Sequence, residues 1–146
     1  MKRFLYLAAL LLLAMSCREP MSKETFRKGE GPYRFEVDMT DSTCVYDFTF
    51  YTRIDGGFFG IDTPEEMRMT VLWKSPSDSL FGETVFMPLA DSAGTFYSKQ
   101  ITAPYRRGIV PVEWGRWQME VIVPEPVKGL RGLGLITGKT RENGTR

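Results

Sequence analysis

From residue 32 onward the chain alternates with period two. Its clearest segment is Gly115-Arg116-Trp117-Gln118-Met119-Glu120-Val121-Ile122-Val123. In an extended chain Trp117, Met119 and Val121 share one face, while Arg116, Gln118 and Glu120 share the other. Only a half-buried strand satisfies both faces. Tyr33, Phe35 and Val37 alternate with Arg34, Glu36 and Asp38 in the same way. Residues 45–53, 67–73, 84–89, 95–101, 108–114 and 130–137 complete the strand-like runs, with Pro88 suggesting a strand end or sheet edge and Pro111 interrupting its segment. Turn chemistry separates them at Thr40-Asp41-Ser42, Asp55-Gly56-Gly57, Lys74–Asp78 and Asp91–Gly94. Tyr105-Arg106-Arg107 reads as a solvated turn. Phe58 to Glu66 reads as a loop. No segment beyond the N-terminal region carries a helical apolar period. About eight short strands with turns every ten or so residues predict an all-β fold, a single antiparallel β-sandwich over residues 32–137.

The N-terminus reads as an export signal. Lys2 and Arg3 precede an apolar run from Phe4 to Ala14, eleven residues long, too short to span a bilayer as a helix. It ends at Ala14-Met15-Ser16-Cys17, which resembles the bacterial lipobox. That resemblance implies cleavage after residue 16 and acylation of Cys17. Several acyl chains, each buried methylene worth about 0.8 kcal/mol, would hold the protein at a membrane. Residues 1–16 are thus expected to be a lipoprotein signal peptide. Residues 17–31, polar and ending in glycines, read as a lipidated tether. Residues 138–146 read as a disordered tail. The domain is expected to face the periplasm from the inner or outer membrane.

Charge and residue content exclude several function classes. Cleavage after residue 16 leaves 130 residues, with 17 basic against 18 acidic side chains. A near-neutral chain without a basic block argues against nucleic acid as a partner. The sequence has no histidine and two cysteines. Ser-His-Asp and Cys-His catalysis are excluded, as are histidine-ligated metals and zinc–thiolate clusters. With Cys17 acylated, Cys44 is the one thiol left, so no intramolecular disulfide forms. Cys44 lies in a strand-like run and is expected to be a buried small hydrophobe.

The remaining candidates for chemistry are sparse. Asp38, Asp41 and Asp62 could form a calcium site between loops, or could be ordinary turn aspartates. Glu83, Glu113 and Glu120 are the carboxylates from which an acid–base pair would have to come. Gly132-Leu133-Gly134 is a Gly-x-Gly that leads into no helix, so it lacks the dinucleotide-binding context. No catalytic residue, metal site or cofactor is expected. Phe58 and Phe59, in a glycine-flanked loop, are the aromatic residues expected to be exposed and to offer a contact surface. Asp-Ser pairs at Asp41-Ser42, Asp78-Ser79 and Asp91-Ser92 are each followed by an aliphatic residue or threonine. They resemble the O-glycosylation signal of exported Bacteroidetes proteins, making Ser42, Ser79 and Ser92 candidate acceptors. Asp-Ser is equally ordinary turn chemistry.

The order of landmarks resembles the gliding-motility lipoprotein H family of the Bacteroidetes. They are Tyr46-Asp47-Phe48 leading to Arg53, Val71-Leu72-Trp73 with Ser75-Pro76, and Gly82-Glu83-Thr84. Pro88-Leu89-Ala90-Asp91, Gly94, Tyr105-Arg106, Gly115 with Trp117, and Leu130-Arg131-Gly132-Leu133-Gly134-Leu135 follow. The family pattern has a second glycine soon after the position of Gly94, where this chain has Phe96-Tyr97-Ser98. The resemblance implies a non-enzymatic, membrane-anchored envelope lipoprotein with protein partners in the envelope. It would act as a scaffold or assembly component of a gliding-motility or secretion-type complex. The alternative is a sandwich lipoprotein that binds a glycan or another ligand through the Phe58-Phe59 loop.

Overall fold

The structure is a computed structural model and describes residues 21–142 apart from 91, 92 and 96. The expected signal peptide, the acylation site Cys17 and the candidate acceptor Ser92 lie outside the described residues. Among those residues the chain forms nine strands and no helix. The strands are β1 (Ser22–Lys28), β2 (Tyr33–Met39), β3 (Cys44–Asp55), β4 (Glu66–Lys74), β5 (Leu80–Pro88), β6 (Ala93–Gly94), β7 (Ser98–Ile109), β8 (Gly115–Ile122) and β9 (Leu130–Arg141). They pair as two antiparallel sheets, in the orders β1-β9-β3-β7-β6 and β2-β8-β4-β5. The fold is an antiparallel β-sandwich, as the alternation requires.

The core is the set of inward residues from both sheets. Tyr33, Phe35, Val37 and Met39 on β2, Met67, Met69 and Val71 on β4, and Trp117, Met119 and Val121 on β8 are buried from one side. Tyr46, Phe48, Phe50 and Ile54 on β3 and Leu133 and Leu135 on β9 meet them from the other. Cys44 is buried with them. Thr52 points inward too, and its hydroxyl donates to the Gly132 carbonyl.

Four expectations are corrected. The stretch read as a tether contains β1, which pairs with β9 from Ser22↔Gly138 to Lys28↔Gly132. Its side chains are mostly polar, so it carries almost no alternation. It is held by backbone ladder bonds and by Tyr51, whose ring packs against Phe26 at 5.6 Å between centroids. The stretch read as tail belongs in part to β9, which runs on through Gly138–Arg141 against Asp47–Cys44. Finally, Tyr105-Arg106-Arg107 is no turn and residues 108–114 are no separate strand. β7 runs unbroken to Ile109 and a loop follows. Pro104 and Gly108 are tolerated because, beyond the two-residue β6, β7 is an edge.

The register sorts the loops into two ends. One end carries the β2–β3 turn (40–43), the β4–β5 turn (75–79) and the β7–β8 loop (110–114). The start of β1 is there as well. Ser22 pairs with Gly138, Gly138 pairs with Asp47, and the Asp47 carboxylate accepts the Gly108 amide, a row across the whole sheet. The opposite end carries the β3–β4 loop (56–65) and the β8–β9 loop (123–129). The twelve residues of β3 separate the two ends by about 40 Å.

Candidate ligand-binding cleft

The two sheets close on each other along β1 and β2 but stand apart at the opposite side, where β5 and β7 are the facing edges. A cleft of about 430 Å³ opens there, near the end that holds loop 110–114. Register decides what lines it. Phe81 stands opposite Trp73, and Glu83 opposite Val71, so both face the interior from an edge strand. Trp117 forms the floor at 5% exposure, while Phe81, at 49%, forms the rim.

The rings make two groups, Phe48–Trp73–Trp117–Phe81 and Phe50–Tyr105. Trp73 lies 5.4 Å from Phe48 and 6.1 Å from Trp117, the latter edge to face. Phe81 lies 6.0 Å from Trp117. Tyr105 lies 4.9 Å from Phe50. These separations are those of favourable ring pairs, worth about 0.5–1.5 kcal/mol each beyond burial.

One polar cluster sits among the rings. The Trp73 indole N–H donates to the Tyr105 hydroxyl at 3.0 Å. That hydroxyl donates to Glu83 Oε1, and Arg106 donates to Glu83 Oε2. The Arg106 guanidinium also lies 5.2 Å from the Tyr105 ring centre. Burial first, and then the bond to Glu83, push the Tyr105 hydroxyl up to about 12. Neighbouring strand residues normally face opposite ways. Here the β3–β7 register slips between Phe48↔Arg106 and Thr49↔Pro104. This bulge brings Tyr105 and Arg106 to the same carboxylate.

The rim is fixed by a second network. Ser77 donates to Glu113 Oε2 at 2.6 Å, and the Trp117 indole N–H donates to the Glu113 carbonyl at 2.9 Å. Gly115, at φ +148°, brings its backbone against Pro76; a Cβ there would lie 2.7 Å from the Pro76 ring. The turn 75–79 and the loop 110–114 thus hold each other.

The other candidates fall elsewhere. Asp38 and Asp41 lie at the first end and Asp62 at the opposite end, so the three are not brought together. Asp38 is occupied by Thr40, and Asp41 by Thr43. Among the described residues no group of three or more acidic or cysteine side chains could hold a metal ion. Glu83 and Glu120 point to opposite faces of their sheet, and Glu120 pairs with Arg34 at 2.7 Å. Glu113 is engaged by Ser77. No acid–base pair forms among these three. Phe58 and Phe59 are 90% and 93% exposed, edge to face at 5.3 Å, on a tight turn bridged by Gly57 and Gly60. They stand at the end away from loop 110–114. Ser42 and Ser79 are exposed. The sequence reading missed the cleft because Tyr105-Arg106 looked like a turn.

A second hollow of about 550 Å³ lies along β2 and β8, among Arg34, Glu36, Gln118 and Glu120. Both of its carboxylates are paired: Glu120 with Arg34, and Glu36 with Arg116 beside the hollow at 3.0 Å.

No protein-family model and no curated protein matches the chain. Among solved structures it is similar to TmCBM61 in complex with beta-1,4-galactotriose, at 16% identity over 75% of this chain, with a TM-score of 0.30. The chain spans about three fifths of that protein, which is covered over 61% of its length. It is also similar to the empty head of turnip yellow mosaic virus, at 10% identity over 88% of this chain and 87% of that one, with a TM-score of 0.19. At these scores neither likeness bears on function.

Proposed function

We propose that this chain is a membrane-anchored, non-enzymatic lipoprotein whose sandwich binds a glycan in the cleft between β5 and β7. One observation carries the reading: the half-exposed ring of Phe81 and the partly buried rings of Trp73 and Tyr105 line the cleft beside one carboxylate–guanidinium pair, Glu83 with Arg106. A pyranose has a flat C–H face and a rim of hydroxyls. Phe81, Trp73 and Tyr105 offer ring surface to that face. Each hydroxyl both donates and accepts, and Glu83 and Arg106 supply one partner of each kind. The pair is neutral overall, which favours uncharged sugars over acidic ones. A few convergent polar groups in a mostly apolar cleft are what a small-molecule site requires.

The test is a glycan array followed by calorimetric titration of the best ligand. Phe81→Ala and Arg106→Ala are expected to weaken binding at least about tenfold, or ~1.4 kcal/mol, with little change in melting temperature. Absence of any glycan binding by the folded protein would overturn the reading.

A second reading, a scaffold or assembly component of an envelope complex, is favoured by Phe58 and Phe59. Two almost fully exposed rings on a tight turn are costly in water and suited to a protein partner's pocket. A crosslinked pull-down should then recover envelope proteins with the native chain and lose them with Phe58→Ser/Phe59→Ser. Equal recovery with both would remove this reading.

A further inference from the structure

We propose that the loop end carrying residues 110–114 rests on the bilayer that holds the acyl chains of Cys17. The inference uses the anchor part of the reading above and goes beyond it. Three observations converge. First, one group of exposed apolar side chains lies at this end, apart from Phe58 and Phe59 at the other: Val112 is 86% exposed, and Val110, Trp114 and Leu80 are exposed around it. Second, β1 starts at this end, with the Lys139 amide donating to the Met21 carbonyl beside the first strand residue. Third, the chain outside the structure is short. From Cys17 to Met21 is four residues, a reach of at most about 14 Å.

The spans agree. Three strand spacings separate β1 from β7 across the order β1-β9-β3-β7, about 14 Å. An anchor beside β1 and a loop beyond β7 can therefore touch one plane together. In this pose the opposite end, some 40 Å away by the length of β3, is directed away from that plane. Val110, Val112 and Trp114 are then the side chains that enter the interfacial layer, with the tryptophan at the boundary between apolar and wet. A glycan on Ser79, one residue before Leu80, would hold this end off the bilayer, so the docked state requires Ser79 unmodified.

All three tryptophans of the sequence, Trp73, Trp114 and Trp117, lie at this end. Their emission is therefore the probe. The mature acylated protein, extracted from membranes, is reconstituted into phosphatidylcholine vesicles with brominated acyl chains, and into unbrominated vesicles as reference. Flotation reads the anchor separately. The expected result is flotation with loss of tryptophan emission in the brominated vesicles. Val110→Asp/Val112→Asp, at two exposed positions, should still float and regain the emission. Flotation without any loss overturns the docking and leaves the anchor standing. Quenching that persists unchanged in the double variant overturns it as well. Failure to float removes the anchor, and the docking with it.

Discussion

Gly134→Ala isolates the contact that fastens β1 to the domain. The Gly134 backbone is not in the left-handed region, so alanine meets no conformational strain there. The obstacle is the Tyr51 ring: a Cβ on Gly134 would overlap Tyr51 Cε1 and Cζ. Tyr51 lies across Gly134 from the neighbouring strand, is buried, and touches Phe26 of β1 beyond. To admit the methyl group the ring must swing outward and give up that contact. Overpacking of this kind costs about 1–3 kcal/mol. Against it, alanine restricts the unfolded chain and returns about 0.4–1 kcal/mol. The net loss is then about 1–2 kcal/mol, which at an m-value of about 1.5 kcal/mol/M lowers the urea midpoint by about 1 M. In a Tyr51→Ser background the obstacle is gone, and the same substitution should stabilise by about 0.5 kcal/mol. The assay is a double-mutant cycle by urea unfolding, with limited proteolysis at Lys23 and Lys28 reporting on β1. If Gly134→Ala has the same effect in both backgrounds, Tyr51 is not what requires the glycine.

Asp55 gives an acid-side prediction. Hydrogen bonds from Ser98, then Arg131 and Arg53, hold its carboxyl at about 2. A depressed folded value means that its stabilisation is present above the ordinary 3.8 and is lost as pH falls through about 2. Asp55→Asn should therefore flatten the pH dependence of melting temperature between about pH 4 and 2; an unchanged slope would reject the assignment. Tyr105 gives the alkaline counterpart. Its raised value, about 12 against 10 for a free tyrosine, contributes stability below pH 10 that disappears as pH rises through 12. In Glu83→Gln, a near-ultraviolet titration should find one tyrosine moved part of the way back toward 10, since burial remains; no movement would mean that Glu83 is not its partner. Cys44, buried with its thiol against Asp41, should resist an aqueous thiol reagent in the native state and react at the rate of unfolding. Immediate labelling would contradict the packing around it.

The legible part of the fold was the part whose side chains alternate. β2 buries every second residue without exception, and β8 nearly so, so apolar periodicity alone outlines them. β1 escaped because its burial is supplied by another strand: Tyr51 and Gly134 do the covering, and Ser22–Lys28 carries no pattern of its own. The end of β9 escaped for a related reason. Gly138-Lys139-Thr140-Arg141 is held by backbone ladder bonds to Cys44–Asp47, which need no apolar side chain. Pro104 and Gly108 disguised β7 as a turn, since local chemistry cannot reveal that a strand lies at an edge. The cleft was hidden by the same step. Trp73, Phe81, Tyr105 and Trp117 were visible as aromatic residues, but their division into floor and rim depends on which strands face each other across the sandwich. Phe58 and Phe59 were the reverse case: flanking glycines alone were enough to place them in the open.

The strand order has a consequence for how the chain comes to be folded. Among the described residues β1, the first strand, has β9, the last, as its sole ladder partner, and β9 is also one of the two partners of β3. A polypeptide that emerges from its N-terminus first therefore holds both β1 and β3 incomplete until its final residues are free. Pairings as distant as Ser22 with Gly138 make for slow, late closure. Until then the nascent chain has no stable five-stranded sheet to resist threading through a narrow pore. Loss of the segment from Leu130 onward would take away an interior strand, leaving two open edges ready to pair with other molecules.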